Sequence, residues 1–274
     1  MSAEVGFDAL FFGRIDYQDR AKRMKEKSME MIWQGSASLP NLRVFTGAFT
    51  SGNYFPPNNI CFDTRCLNDP VVDDVESTCY NAEVYVRKFL DAAVEEASYS
   101  RGKHVMFKMG SDFHYSNADI WFSNLDKLIK LVNAADAGVN TFYSTPQQYI
   151  DARAQEGLTW PLKTDDFFPY ADCAHCYWSG YFTSRPTLKR LERVASTFLQ
   201  TLRRIHVAAT ARPQPTHIAD RITGKVLHDL EAAIGLANHH DSITGTSKQH
   251  VADDYIRIVD KALTAAEALS LIHI

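Results

Sequence analysis

The sequence predicts an α/β domain followed by a three-helix bundle. Two observations lead there. Short apolar runs ending in glycine or a charged residue recur through the first half, and several lead into amphipathic helical patterns. The second half is dominated by long apolar stripes at three- and four-residue spacing, the pattern of helices packed on helices.

Ala9-Leu10-Phe11-Phe12 is a buried-strand candidate closed by Gly13-Arg14. Asp19 to about Trp33 predicts a helix. Arg43-Val44-Phe45 predicts a second strand, opening into Gly52-Asn53-Tyr54-Phe55-Pro56-Pro57, a composition that presents side chains rather than burying them. Asn81 to Glu96 predicts a helix with Val84, Phe89 and Val94 among its apolar residues. His104 to Gly110 predicts a strand running into Ser111-Asp112-Phe113. The helix after it carries Trp121, Leu125, Leu128, Ile129 and Val132 on one face. Val139 to Tyr143 repeats the strand signal, and Thr145-Pro146 opens another helix.

Beyond the loop from Lys163 to Tyr177, Ser184 reads as a cap and Pro186 as a first-turn proline. The helix they open has a seam of Leu188, Leu191, Ala195, Phe198, Leu202 and Ile205. Thr210 to Thr216 is a connection. Two further helices are predicted, from about Ile218 to Ala237 and from Lys248 to Ala268. Val251, Tyr255, Ile258, Ala262 and Leu269 form the apolar stripe of the last.

The 274 residues, 45% hydrophobic and 23% charged, suffice for a real core without metal or disulfide. A net charge of −4 with no long basic run gives nothing that suggests a nucleic-acid partner. No stretch of about 18 apolar residues exists to span a membrane. The opening MSAEVGFDALFFGRIDYQDR does not read as a signal peptide, and no N-x-S/T acceptor occurs. Of five cysteines, Cys61 and Cys66 bracket CFDTRC, Cys173 and Cys176 form a C-x-x-C, and Cys79 is left over. Two local pairs suit an oxidising compartment; reduced thiols are the alternative.

Four places could carry chemistry. Asn238-His239-His240-Asp241-Ser242 is a polar hinge between apolar helices, able to offer a zinc ligand and an acceptor for hydroxyls, or simply to cap a helix. Adjacent residues on a turn rarely chelate one ion together, so one histidine at most is expected as ligand. Asp112, after an apolar run and before Phe113, sits where apolar walls would suit a general acid; capping the next helix is the alternative. Arg14 at a strand end can hold a carboxylate or sugar hydroxyls, or make a surface ion pair. Asp165 to Asp172, with nearby Tyr177-Trp178, mixes acidic and aromatic residues as sugar sites and domain contacts both do.

Five segments, FFGRIDYQDR, MGSDFHYSNADIWFSNLDKLIKLVN, DDFFPYAD, YWSGYFTSRPTLKRLERV and HHDSITGTSKQHVADDY, resemble those of lysosomal-type alpha-mannosidases of glycoside hydrolase family 38, in the same order. The resemblance runs from Gly6 to about Tyr255. It implies an incomplete seven-stranded β/α barrel over residues 1–160. A connecting loop and three-helix middle domain would follow over 161–269. It implies retaining hydrolysis of terminal alpha-mannosides by two carboxylates and one zinc ion, on mannose-containing oligosaccharides, in a lysosome or related acidic vesicle. By resemblance Asp112 is the general acid/base and His240 a zinc ligand. Arg14, Tyr54 and Asp241 contact the sugar, and Cys61–Cys66 is a disulfide. The family's His-x-Asp-x-Gly-Trp motif and its nucleophile segment, like Ile-Asp-Pro-Phe-Gly-His, do not occur in these residues. The expectation is therefore a partial chain that is inactive alone. The alternative is a non-catalytic, truncated or degenerate paralogue that at most binds mannosides. The oligomeric state is not legible.

Overall fold

The computed structural model describes residues 1–66, 68–211 and 224–271. The chain divides into two units, Met1–Tyr177 and Trp178–Ile274. The described residues hold seven α-helices and one four-stranded sheet, a mixed α/β protein.

In the first unit β1 (Ala9–Phe12) pairs in parallel with β3 (Val44–Ala48). β2 (Glu30–Trp33) pairs with β3 antiparallel and with the short β4 (Leu162–Lys163) parallel, giving the order β1-β3-β2-β4. Helix α1 (Tyr17–Glu26) starts at Asp16, whose Oδ1 accepts the Gln18 and Asp19 amides at 2.9 and 3.2 Å.

The predicted single helix to Trp33 is corrected here: α1 stops where Lys27 turns left-handed (φ 53°), and Glu30–Trp33 is strand. Ser28 N–H reaches back to Arg23 O at 2.8 Å, which closes the last turn. A four-residue strand is too short for its period to show, and only its place between β3 and β4 defines it.

Helices α2 (Ala82–Tyr99) and α3 (Ala118–Ala134) share a core. That core joins Tyr85 and Phe89 of α2 to Trp121, Leu125, Leu128 and Val132 of α3, with Phe62 and Val71. Of the apolar residues named in α2, Phe89 is buried with Ala82, Tyr85, Ala92 and Ala93, while Val84 and Val94 are exposed. Five residues along a helix turn the chain about 140° off the starting face, so Phe89 cannot share a side with either valine. Helix α4 (Pro146–Gln155) opens with a capping box in which Thr145 and Gln148 each satisfy the other's backbone.

Residues 104–110 and 139–143 are extended, yet no described strand pairs with them, so both strand expectations are corrected. Phe107, Met109 and Val139 pack instead against the α2–α3 core. Their apolar pattern reports burial, which a helix surface satisfies as well as a ladder does.

In the second unit α5 (Pro186–Thr210), α6 (Gly224–Ala237) and α7 (Gln249–Leu271) share one core of Ala195, Leu199, Leu202, Leu230, Ala233, Ile234, Val259 and Leu263. The N-cap of α5 is Arg185 (φ 49°) rather than Ser184, whose side chain caps nothing, while Pro186 does stand in the first turn. In α7 the buried line is Ala252, Val259, Leu263 and Ala266, beside the expected stripe, whose Val251, Tyr255, Ile258 and Ala262 are half-buried. The predicted helix start at Ile218, most of the Thr210–Thr216 connection and the Leu269 side chain lie outside the described residues. Among those residues no helix is long and apolar enough to cross a membrane.

Candidate functional site

Two glycines set the rim that carries the first candidates. A Cβ on Gly13 would lie 3.0 Å from Gly52 O and 3.1 Å from Asn53 Cα, so the turn after β1 and the loop after β3 touch backbone to backbone. Gly52 itself has φ +70°, and a Cβ there would meet the Arg20 guanidinium at about 2.5 Å. This approach puts the Arg14 turn beside the loop of Tyr54. Tyr54 Oη donates to Asp112 Oδ1. The structure thus brings Tyr54 and Asp112 together, with exposed Arg14 on the turn next to Tyr54's loop.

The apolar walls expected around Asp112 are absent. Asp112 is exposed, and Phe113 faces solvent with the Arg65 guanidinium 4.9 Å over its ring. Nor does Asp112 cap α3, whose N-cap is Asn117. Phe113 and Tyr115 both have positive φ, 64° and 66°, a cost of about 1–3 kcal/mol each for side-chain-bearing residues.

What sustains that turn was not foreseen from the sequence. Asp63 Oδ2 accepts the Tyr115 amide at 2.9 Å and Trp121 Nε1 at 2.8 Å. The Tyr115 ring stacks on Trp121 at 4.7 Å, and its hydroxyl donates to Met109 O. Burial works to raise the Asp63 carboxyl, but the hydrogen bonds from Trp121, Tyr115 and Arg65 overcome this and bring its pKa down to about 2. Asp63 lies inside the loop closed by the Cys61–Cys66 disulfide, whose Cα atoms are 6.0 Å apart. A signal was present: an aspartate confined in a tight cysteine loop has few ways to avoid accepting backbone amides.

The fourth candidate stretch divides. Phe167 is half-buried against the Ile15, Met29 and Ala48 cluster, edge-on to Phe12 at 4.7 Å and to Trp33 at 5.1 Å. Asp165 pairs with Lys163 at 2.8 Å, and that hydrogen bond holds its carboxyl below the usual range. Asp166 accepts the Phe168 amide of its own loop. This part of the stretch serves the first unit's packing.

In the second unit His239, His240 and Asp241 occupy the turn between α6 and α7, all exposed. Asp241 Oδ2 lies 3.4 Å from His239 Nε2 and 3.7 Å from His240 Nε2. One donor atom from each residue falls within 4.8 Å of the others. Both imidazoles therefore lie close to the same carboxylate. Two imidazole nitrogens and a carboxylate oxygen are donor types that zinc accepts, and they fit part of a zinc shell.

The turn is held from α5. Arg185 donates to Gly245 O at 3.1 Å, Ser247 O at 2.9 Å and Gln249 Oε1 at 2.7 Å. Lys189 Nζ donates to Ile243 O at 2.7 Å and Thr244 O at 3.2 Å, and burial lowers its pKa. Two cations in the first turn of a helix oppose its dipole, and that oddity is the sequence signal for a tertiary task.

Comparisons with known proteins bear on these geometries. Residues 1–173 match the family described as glycosyl hydrolases family 38 N-terminal domain, and residues 176–271 the alpha mannosidase middle domain. The chain is 48% identical over 262 residues to the lysosomal alpha-mannosidase of Cavia porcellus, covering 93% of this chain and 25% of that protein. It is 46% identical to that of Homo sapiens, with the same coverage. A probable alpha-mannosidase of Arabidopsis thaliana is 45% identical over 278 residues, 100% of this chain and 26% of the relative. A solved alpha-mannosidase from Enterococcus faecalis V583 superposes with a TM-score of 0.62 at 16% identity, covering 95% of this chain and 26% of that one. The last likeness is one of fold. The chain spans about a quarter of the length of these relatives.

Proposed function

The chain belongs to glycosyl hydrolase family 38, and on that premise we propose that it carries part of the machinery for retaining hydrolysis of terminal alpha-mannosides. In this reading residues 1–160 supply the catalytic part, an incomplete seven-stranded β/α barrel. Residues 161–269 supply the connecting loop and a three-helix middle domain. The site belongs to a lysosome or related acidic vesicle, as the names of the mammalian relatives suggest. Mannose-containing oligosaccharides are the substrates.

The observation that carries the reading is the Tyr54–Asp112 hydrogen bond at an exposed, aromatic rim. Asp112 acts as general acid on the departing glycosidic oxygen and then as general base toward water. Tyr54 engages Oδ1, which orients the carboxyl group and leaves Oδ2 to hold the proton. In the first unit Arg14 and Tyr54 offer hydrogen bonds to a sugar, and in the second unit Asp241 offers an acceptor for sugar hydroxyls. His240, with His239 and Asp241 beside it, would hold zinc, which when bound polarises and grips sugar hydroxyls. A retaining mechanism also needs a second carboxylate roughly 5–5.5 Å from the acid, and the 274 residues contain no segment like Ile-Asp-Pro-Phe-Gly-His. A second reading is a non-catalytic protein that only binds mannosides.

Release of an aryl alpha-mannoside's leaving group tests both, with and without added zinc. A longer polypeptide containing 1–274 and a nucleophile segment should turn over, and Asp112→Asn should stop it. Mannoside binding without turnover in that longer protein would support the second reading and overturn the first.

A further inference from the structure

The C-x-x-C at Cys173–Cys176 takes no part in the site described above, yet its surroundings differ sharply from those of the other disulfide. Cys61 is 4% exposed, and both its sulfur and that of Cys66 pack in the α2–α3 core. Cys173, Ala174 and His175 are exposed and Cys176 is half-buried. The bridge joins Cα atoms 5.1 Å apart across only three residues. His175 at its tip has φ +63°. The Asp172 carboxylate and both sulfurs lie within 4.8 Å of one another.

The tip is also insulated from the fold. Ala171 and Tyr177 pair as an isolated antiparallel bridge on either side of the two cysteines. Ala171 is 1% exposed, and its carbonyl accepts the Tyr17 amide of α1 at 2.9 Å. The loop is thus anchored at its base by backbone bonds, without help from the sulfurs.

We propose that Cys173–Cys176 is a thiol–disulfide exchange site whose co-reactants are low-molecular-weight thiols and their disulfides, while Cys61–Cys66 is closed to them. A thiolate RS⁻ attacks Sγ of exposed Cys173; the Cys173–Cys176 bond breaks, a Cys173–SR mixed disulfide forms, and Cys176 leaves as thiolate. A second RS⁻ attacks the R sulfur, releasing RSSR and the Cys173 thiolate. The two thiolates take up the two protons the incoming thiols gave up. Two electrons pass from two RSH to the protein disulfide, and the reverse sequence consumes RSSR.

The test uses the native chain with Cys79→Ser in the background, so that the free exposed thiol cannot scramble the bridges. The protein is equilibrated at graded ratios of reduced to oxidised glutathione and acid-quenched. Free thiols then receive one mass tag and, after full reduction, bridged ones a second. Cys173 and Cys176 should open together at ratios lower by about tenfold or more than those opening Cys61 and Cys66. Cys176→Ser should trap glutathione on Cys173. The Cys173→Ser/Cys176→Ser pair should keep the parent's circular dichroism and urea midpoint. Equal resistance of the two bridges, earlier opening of Cys61–Cys66, or unfolding of the double variant would each overturn the proposal.

Discussion

Trp121 Nε1 and Asp63 Oδ2 are 2.8 Å apart, and through this pair the core of the first unit reaches the turn that carries Asp112. Asp63 ties Arg65 of its own loop to Tyr115 and Trp121 of the turn and helix some fifty residues on, through one carboxylate. Replacing it by alanine orphans buried donors at a cost of about 1–3 kcal/mol for each one left unpaired. Asp63→Ala should lower the urea midpoint clearly and, in an active longer protein, reduce turnover through misplacement of Asp112.

The same carboxylate predicts an acid limit. Its folded value is depressed to about 2 from 3.8, so its stabilisation is fully present above pH 3.8. It is lost as pH falls from there through about 2. The stability gap between the parent and Asp63→Asn should be constant at neutral pH and close across that acid window. Urea melts at a series of pH values would show it, and a gap that widens on acidification would contradict the assignment.

Asp112→Asn in a longer active protein should slow glycosides with poor leaving groups by about 10²- to 10⁴-fold and activated aryl mannosides far less. Equal losses for both would argue against proton donation. Tyr54→Phe should give a milder loss, since it frees Oδ1 without removing the acid.

Arg153 is 1% exposed and bridges Glu30 at 2.6 Å and Glu156, tying α4 to β2. Arg153→Ala strands both carboxylates in partly buried positions and should cost about 3–5 kcal/mol. Guanidinium unfolding measures it, and an unchanged midpoint would mean that the triad contributes nothing.

Hydrogen exchange should separate two kinds of extended or helical backbone. Amides of Leu188 to Leu202 sit in a helix whose seam is buried and should be strongly protected. Val105 to Met109 have no ladder among the described residues and should exchange much faster in the isolated chain. Equal protection would mean that this stretch gains backbone partners in solution.

The helices were legible because their information is local: Trp121, Leu125, Leu128 and Val132 repeat often enough for a period to emerge. β2 was missed because Glu30–Trp33 runs straight on from helical residues, and only its neighbours make it strand. Residues 104–110 were read as strand because burial against helices and pairing in a sheet select the same side chains. Within the candidate site, Asp112 stood out by residue type and flanking pattern, whereas Tyr54 was picked out only through the family resemblance. Asp63 and Lys189 act through contacts 52 and 54 residues away in sequence, a separation that no local pattern encodes.

The clasp that Arg185 and Lys189 place on residues 243–249 has a consequence for motion. Surface turns ordinarily fluctuate on their own, within nanoseconds. Here five hydrogen bonds moor the segment just after the two imidazoles to the opening turn of a 25-residue helix. His239 and His240 should accordingly inherit the stiffness of that rod. Their backbone order parameters should resemble those of Leu188 and Leu191 rather than those of a loop, and Arg185→Ala with Lys189→Ala should set them loose.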